Sequence, residues 1–242
     1  MRYFVTGASG FVGSAVTREL LAAGHQVMGV ARSDEGAARV AAMGAEVFRG
    51  SLDDPEELAR AAAETDGVAH LAFNHDISKF LENCATDLRV VTTIGAALAG
   101  TGKPLIVTSG LGLLTGLPLI TEDLTMAAVP HPHPRGKSED AVTALAEQGV
   151  RAMVIRLAPS THGDGDHGFV PILINNARDK GAAAYVGAGD AVWPGVHRLE
   201  RHGSVASLWK RARPARATTR PTRLACPSVR LAASSAAASV CR

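Results

Sequence analysis

Residues 5–16 read VTGASGFVGSAV, with Gly7, Gly10 and Gly13 at equal spacing. An apolar run, Tyr3 to Val5, precedes them. After them apolar residues return every three to four positions (Val12, Val16, Leu20), so a β-strand should turn sharply into an amphipathic helix. Each glycine has its own reason to be there. Gly7 permits the tight turn out of the strand, Gly10 leaves room for a diphosphate against the backbone, and Gly13 lets the helix lie close on the sheet. The helix N-terminus then faces the phosphates. We read Thr6, Gly7, Ser9, Gly10, Phe11, Val12 and Gly13 as a dinucleotide cradle.

Outward from this loop, strand-like and helix-like segments alternate. Strands are expected at 2–7, 25–32, 45–50, 67–73, 104–110 and 150–158. Helices are expected at 14–24, 34–44, 54–67, 84–102 and 138–149. Asp54 should cap the third helix, with Pro55 in its first position, and Ser138 should cap the fifth. Such alternation implies right-handed βαβ units, hence an α/β, Rossmann-type doubly wound parallel sheet covered on both faces.

The end of the second expected strand selects the cofactor. An acidic residue there would bind a ribose 2′-hydroxyl. This chain has Arg32 instead, followed by Ser33, and a guanidinium suits a 2′-phosphate. NADP is therefore preferred, while Asp34 nearby keeps NAD open.

The charge is divided. All 23 acidic residues lie at or before Glu200, whereas 9 of the 25 Lys and Arg lie after it. The body is thus acidic, and nucleic acid is not expected as its partner. Cys84, Cys226 and Cys241 show no metal-binding spacing, which fits a reducing, cytoplasmic setting. The longest apolar run, LGLLTGLPLI, is too short to span a bilayer, so no membrane association is expected. His75, His131, His133, His162 and His167 crowd loop segments without a helical i, i+4 pair, and no metal site is expected.

TGASGFVGSAV, GSLDDPEEL, DGVAHLAF, VTSG and IRLAPSTHGDGDHGF, in this order, resemble the extended or atypical short-chain dehydrogenase/reductase group. More narrowly they resemble its NAD-dependent epimerase/dehydratase-like proteins. The resemblance implies a nicotinamide cofactor along the carboxyl ends of the strands, a small-molecule substrate and a homodimer. It places the adenine-contacting segment at Ser51 and Leu52. Leu71, Ala72 and Phe73 would line the cofactor, as would Pro159 in the turn after the sixth strand. The hydroxyl residue that polarises a carbonyl falls at Thr108 or Ser109, with Ser109 preferred. The family's Tyr-x-x-x-Lys is replaced: Arg135 and Glu139 occupy its spacing, and Lys137 is out of phase for that helix face. His162 stands where the family has a tyrosine. The acid is then Arg135, a histidine such as His162, a substrate group or water; alternatively the chain binds nucleotide without catalysis.

Residues 1–200 are read as the NAD(P)-binding domain. From 201 to 242 the sequence is rich in Arg, Ala, Ser and Pro, without acids or periodicity. We expect a basic, disordered tail in place of a substrate-binding part. Two origins are open: a genuine tail that touches nucleic acid or an anionic surface, or, the preferred reading, translation of a shifted reading frame beginning near Glu200.

Overall fold

The computed structural model describes residues 1–114, 120–121, 124–130, 133–185, 187–189 and 192–199, together with the backbone of 224–225 and 229–230. Ten strands are placed: β1 (Arg2–Thr6), β2 (Gln26–Ala31), β3 (Glu46–Arg49), β4 (Gly67–His70), β5 (Pro104–Gly110), β6 (Arg151–Leu157), β7 (Ser160–His162), β8 (Pro194–His197), β9 (Leu224–Ala225) and β10 (Val229–Arg230). Six α-helices accompany them: α1 (Phe11–Ala22), α2 (Asp34–Ala42), α3 (Pro55–Ala63), α4 (Phe80–Ala97), α5 (Gly136–Glu147) and α6 (Phe169–Lys180).

The main sheet runs β3-β2-β1-β4-β5-β6-β9, and every neighbouring pair is parallel. The order reverses direction between β1 and β4, the switch point at which such sheets bind ligands. Alternation along the strands divides the core. Phe4, Met28 and Val30 pack with α3, α4 and α5 on one face. Tyr3, Val5, Val27 and Ala31 pack with α1 and α2 on the other. Side chains two apart share a face, so these buried strands must be apolar nearly throughout.

The expected cap is found at α3, and α2 has a cap that the sequence reading did not assign. Asp54 accepts the Glu57 N–H at 2.9 Å and Pro55 opens α3. Ser33 accepts the Gly36 N–H at 3.1 Å and caps α2. At α5 the structure corrects the expectation: the helix starts at Gly136, so Ser138 is not its cap but a buried residue within the helix. Helix α4 begins at Phe80, a turn before the expected Cys84. Strand β4 ends at His70, which frees Leu71 to Phe73 as an extended segment.

A three-stranded sheet, β10-β8-β7, and α6 lie beyond the expected elements. The tail expected over 201–242 falls outside the described residues except for β9 and β10. β9 pairs with β6 at Ile155 and Arg156, and β10 pairs antiparallel with β8. Among the described residues no helix is long and apolar enough to cross a membrane.

Candidate functional site

A cleft of about 840 Å³ opens along the carboxyl ends of β1, β2, β4, β5 and β6. Its first wall is the glycine loop. Gly7 has φ +69°, and a Cβ there would come within 2.9 Å of the Ala72 nitrogen. A Cβ on Gly13 would lie 2.0 Å from the Gly7 carbonyl oxygen, a clash no side-chain movement relieves. Gly10 caps α1 without a side-chain bond, and no acid occupies the first turn. The leading N–H groups of α1 therefore remain available to an anion.

Thr6 ties this loop to the next strand. Its Oγ1 accepts the Leu71 and Ala72 N–H groups at 3.1 and 3.2 Å. Both lone pairs are then used, so the hydroxyl donates to His70 Nδ1 at 2.8 Å. His70 Nε2 consequently carries the hydrogen that reaches Asp87 Oδ1 at 3.1 Å. Ser138 Oγ donates to Asp87 Oδ2 at 2.6 Å. Asp87 is 1% exposed, and burial alone would raise its carboxyl pKa. The His70 and Ser138 hydrogen bonds and the Arg135 charge outweigh burial and hold it below the ordinary carboxylate value. This chain joins β1, β4, α4 and α5 beneath the cleft.

Arg32, Ser51 and Leu52 line one end of the cleft, with Asp53, which accepts the Ser51 hydroxyl at 2.8 Å. Arg32 is exposed and has no ion-pair partner among the described residues. Asp34 is turned away to Arg49, at 2.9 Å. Ser33 is absent from the lining, its hydroxyl being spent on the α2 cap. Ser109, on β5, lies three strand spacings from β2, roughly 14 Å across the sheet. The cleft therefore suits an extended ligand.

The far end holds Thr108, Ser109, Arg135 and Phe73. Thr108 Oγ1, Ser109 Oγ and Arg135 Nε are buried without a hydrogen-bond partner among the described residues. The Arg135 guanidinium lies 3.8 Å above the Phe73 ring, and its Nη2 reaches the Thr108 carbonyl at 3.3 Å. Burial draws its pKa below the usual arginine range, opposed by Asp87, Cys84 and Glu139. Burial and Arg135 together lower the pKa of His75 and His133. Cys84 is buried beneath this corner, and its thiol pKa is raised first by burial.

Glu139 does not enter the cleft. It is 1% exposed and takes Arg156 in a forked ion pair, at 2.6 Å from Nη2 and 3.1 Å from Nε. His162 also stands outside: it is exposed and its ring meets His197 edge-on at 5.5 Å. Pro159 lines the cleft, as do Asp166, His167 and Phe169 at the start of α6. Sequence reasoning gave those three no role. Arg198 was likewise missed: its guanidinium sits 4.6 Å over the Phe11 ring and bonds the Phe11 carbonyl at 3.4 Å. Among the described residues no group of three or more His, Cys, Asp or Glu is placed to hold a metal ion, and His131 lies outside them.

This geometry has known counterparts. An uncharacterized protein of Schizosaccharomyces pombe, C2A9.02, is 46% identical over 200 residues, covering 83% of this chain and 68% of its own length. A 2-alkyl-3-oxoalkanoate reductase of Stenotrophomonas maltophilia is 32% identical over 203 residues, covering 78% of this chain and 59% of the reductase. The solved structure of a dTDP-glucose 4,6-dehydratase from Bacillus anthracis in complex with NAD superposes with a TM-score of 0.70 at 14% identity, over 93% of this chain and 75% of that one. The pattern of the NAD dependent epimerase/dehydratase family matches residues 3–198, and the chain belongs to that family.

Proposed function

We propose that the chain is an NADP-dependent oxidoreductase acting on a carbonyl or hydroxyl group of a small molecule. The carrying observation is one continuous cleft. It begins at a glycine loop that only glycine permits and ends at two hydroxyls, unpartnered among the described residues, beside a guanidinium. The residues fit the cofactor. The α1 N-terminus receives the diphosphate, Leu71 to Phe73 flank the path, and Arg32, free of Asp34, receives a 2′-phosphate. The S. maltophilia relative is a reductase of an oxo compound, which supports carbonyl chemistry.

When bound, the nicotinamide supplies a hydride in one direction and accepts one in the other. In the reducing direction the substrate carbonyl carbon would take that hydride and its oxygen a proton, giving an alcohol. In this chain Ser109 orients that oxygen. Arg135 occupies the place of the missing tyrosine, but a guanidinium keeps its protons in proteins. It stabilises negative charge on the oxygen, and the proton comes from water in the open cleft.

Titration of the full chain with NADPH and NADH, followed by cofactor fluorescence, tests the assignment. NADPH should bind more tightly, and Arg32→Asp should lower that preference about tenfold or more. An unchanged preference removes Arg32 from the site. The alternative of a non-catalytic NADP sensor is favoured by one observation, the capture of Glu139 by Arg156 where the family pattern has a lysine. NADPH binding without turnover on any of a panel of carbonyl compounds would establish it.

A further inference from the structure

Two arginines, Arg135 at the start of α5 and Arg156 on β6, are used differently, and of the two it is Arg135 that lines the cleft. Arg156 pairs with Glu139 through Nε and Nη2, its Nη2 also reaches the Leu124 carbonyl, and its buried Nη1 has no hydrogen-bond partner among the described residues. Arg135 has no carboxylate partner among the described residues. The acid whose field supports it most, Asp87, has one oxygen bonded to His70 and the other to Ser138. Phe73 covers one face of the Arg135 guanidinium, Thr108 takes one N–H, and the buried Nε–H has no acceptor among the described residues. His75 and His133 are held toward the neutral form and bring no competing charge.

A buried guanidinium with an idle edge is costly unless a ligand supplies acceptor oxygens. A carboxylate matches that planar fork, whereas a lone carbonyl uses only part of it. The Thr108 and Ser109 hydroxyls, also unpartnered, suit an adjacent neutral oxygen. Resting on the oxidoreductase reading above, we propose that Arg135, Thr108 and Ser109 form a receptor for a small oxo acid. In it Arg135 grips the carboxylate and the hydroxyls face the ketone. Arg135 is then a determinant of substrate class as well as a stabiliser of charge.

The test uses the full chain saturated with NADP⁺, so that no ketone is reduced during the measurement. Short 2-oxo and 3-oxo acids and their methyl esters are titrated calorimetrically. At least one acid should bind about tenfold or more tightly than its ester. Arg135→Gln should remove that advantage while leaving NADP⁺ affinity and the melting temperature in place, and Arg135→Lys should recover only part of it. Equal binding of acids and esters, no acid binding at all, or an undiminished acid preference in a folded Arg135→Gln chain would overturn the receptor. Should that variant unfold, the acid-over-ester comparison on the unaltered chain, and on Ser109→Ala, still decides. Failure to bind NADP⁺ counts against the oxidoreductase reading instead. A parallel titration of the cofactor-free chain then decides the receptor by the same comparison.

Discussion

Asp87 shows how a single residue outside the cleft governs its shape. It is buried, charged and satisfied on both oxygens, so its neighbours are arranged around it. Asp87→Asn keeps the size but loses the charge-assisted bonds, and should cost about 1–3 kcal/mol of stability at neutral pH. The folded pKa is depressed, so this contribution is complete above the unfolded value, near 3.9, and fades as pH falls through the folded one. Urea melts of both chains from pH 7 down to 3 should show the gap closing only at the acid end. A gap independent of pH would mean that the carboxylate charge is irrelevant. The glycine loop was legible at this scale because its constraints are local. Asp87 was not, because its Ser138 partner lies 51 residues away and no periodicity marks the pair.

At the scale of elements, β1 to β6 and the helices up to α5 could be read from alternation, with ends shifted by up to five residues at α4, whereas β9, at the edge of the main sheet, falls in the stretch expected to be a disordered tail. Helix α6 was not expected, and it differs from the others in packing no buried residue, leaving Ile172, Leu173 and Ile174 about half exposed. Helix α5 was expected, but its attachment was not. Glu139, read only by its place in a motif spacing, is the residue that pins α5 to β6 through Arg156. Removing one partner leaves a buried charge unpaired. Glu139→Gln should therefore destabilise by about 3–5 kcal/mol, and Glu139→Leu combined with Arg156→Met should regain much of the loss. Equal stability of the single variant and the unaltered chain in thermal melts would show that the pair is not closed.

For the whole molecule, the described residues that line the cleft end at Ile172, well before the change of composition at Glu200. The described part of the later chain meets the main sheet only through β9, at two positions of β6. A chain ending at Glu200 should therefore bind NADPH within about twofold of the full chain, a difference under 0.5 kcal/mol. A larger loss would give the later residues a part in the site. Composition suggests the same division, since the acids stop at Glu200.

The strand order also sets a timetable. Synthesis releases the N-terminus first, and domains begin to fold as they emerge. The glycine loop, Arg32, Ser51 and the segment from Leu71 to Phe73 all precede β5, and β1 to β4 already form four adjacent strands of the sheet. The corner with Ser109 and Arg135 needs β5 and α5, which come later. On the proposed reading, a nascent chain has the residues assigned to the nucleotide in hand before those assigned to the reaction exist, and a nucleotide captured early would serve as a template on which the remainder of the sheet is laid.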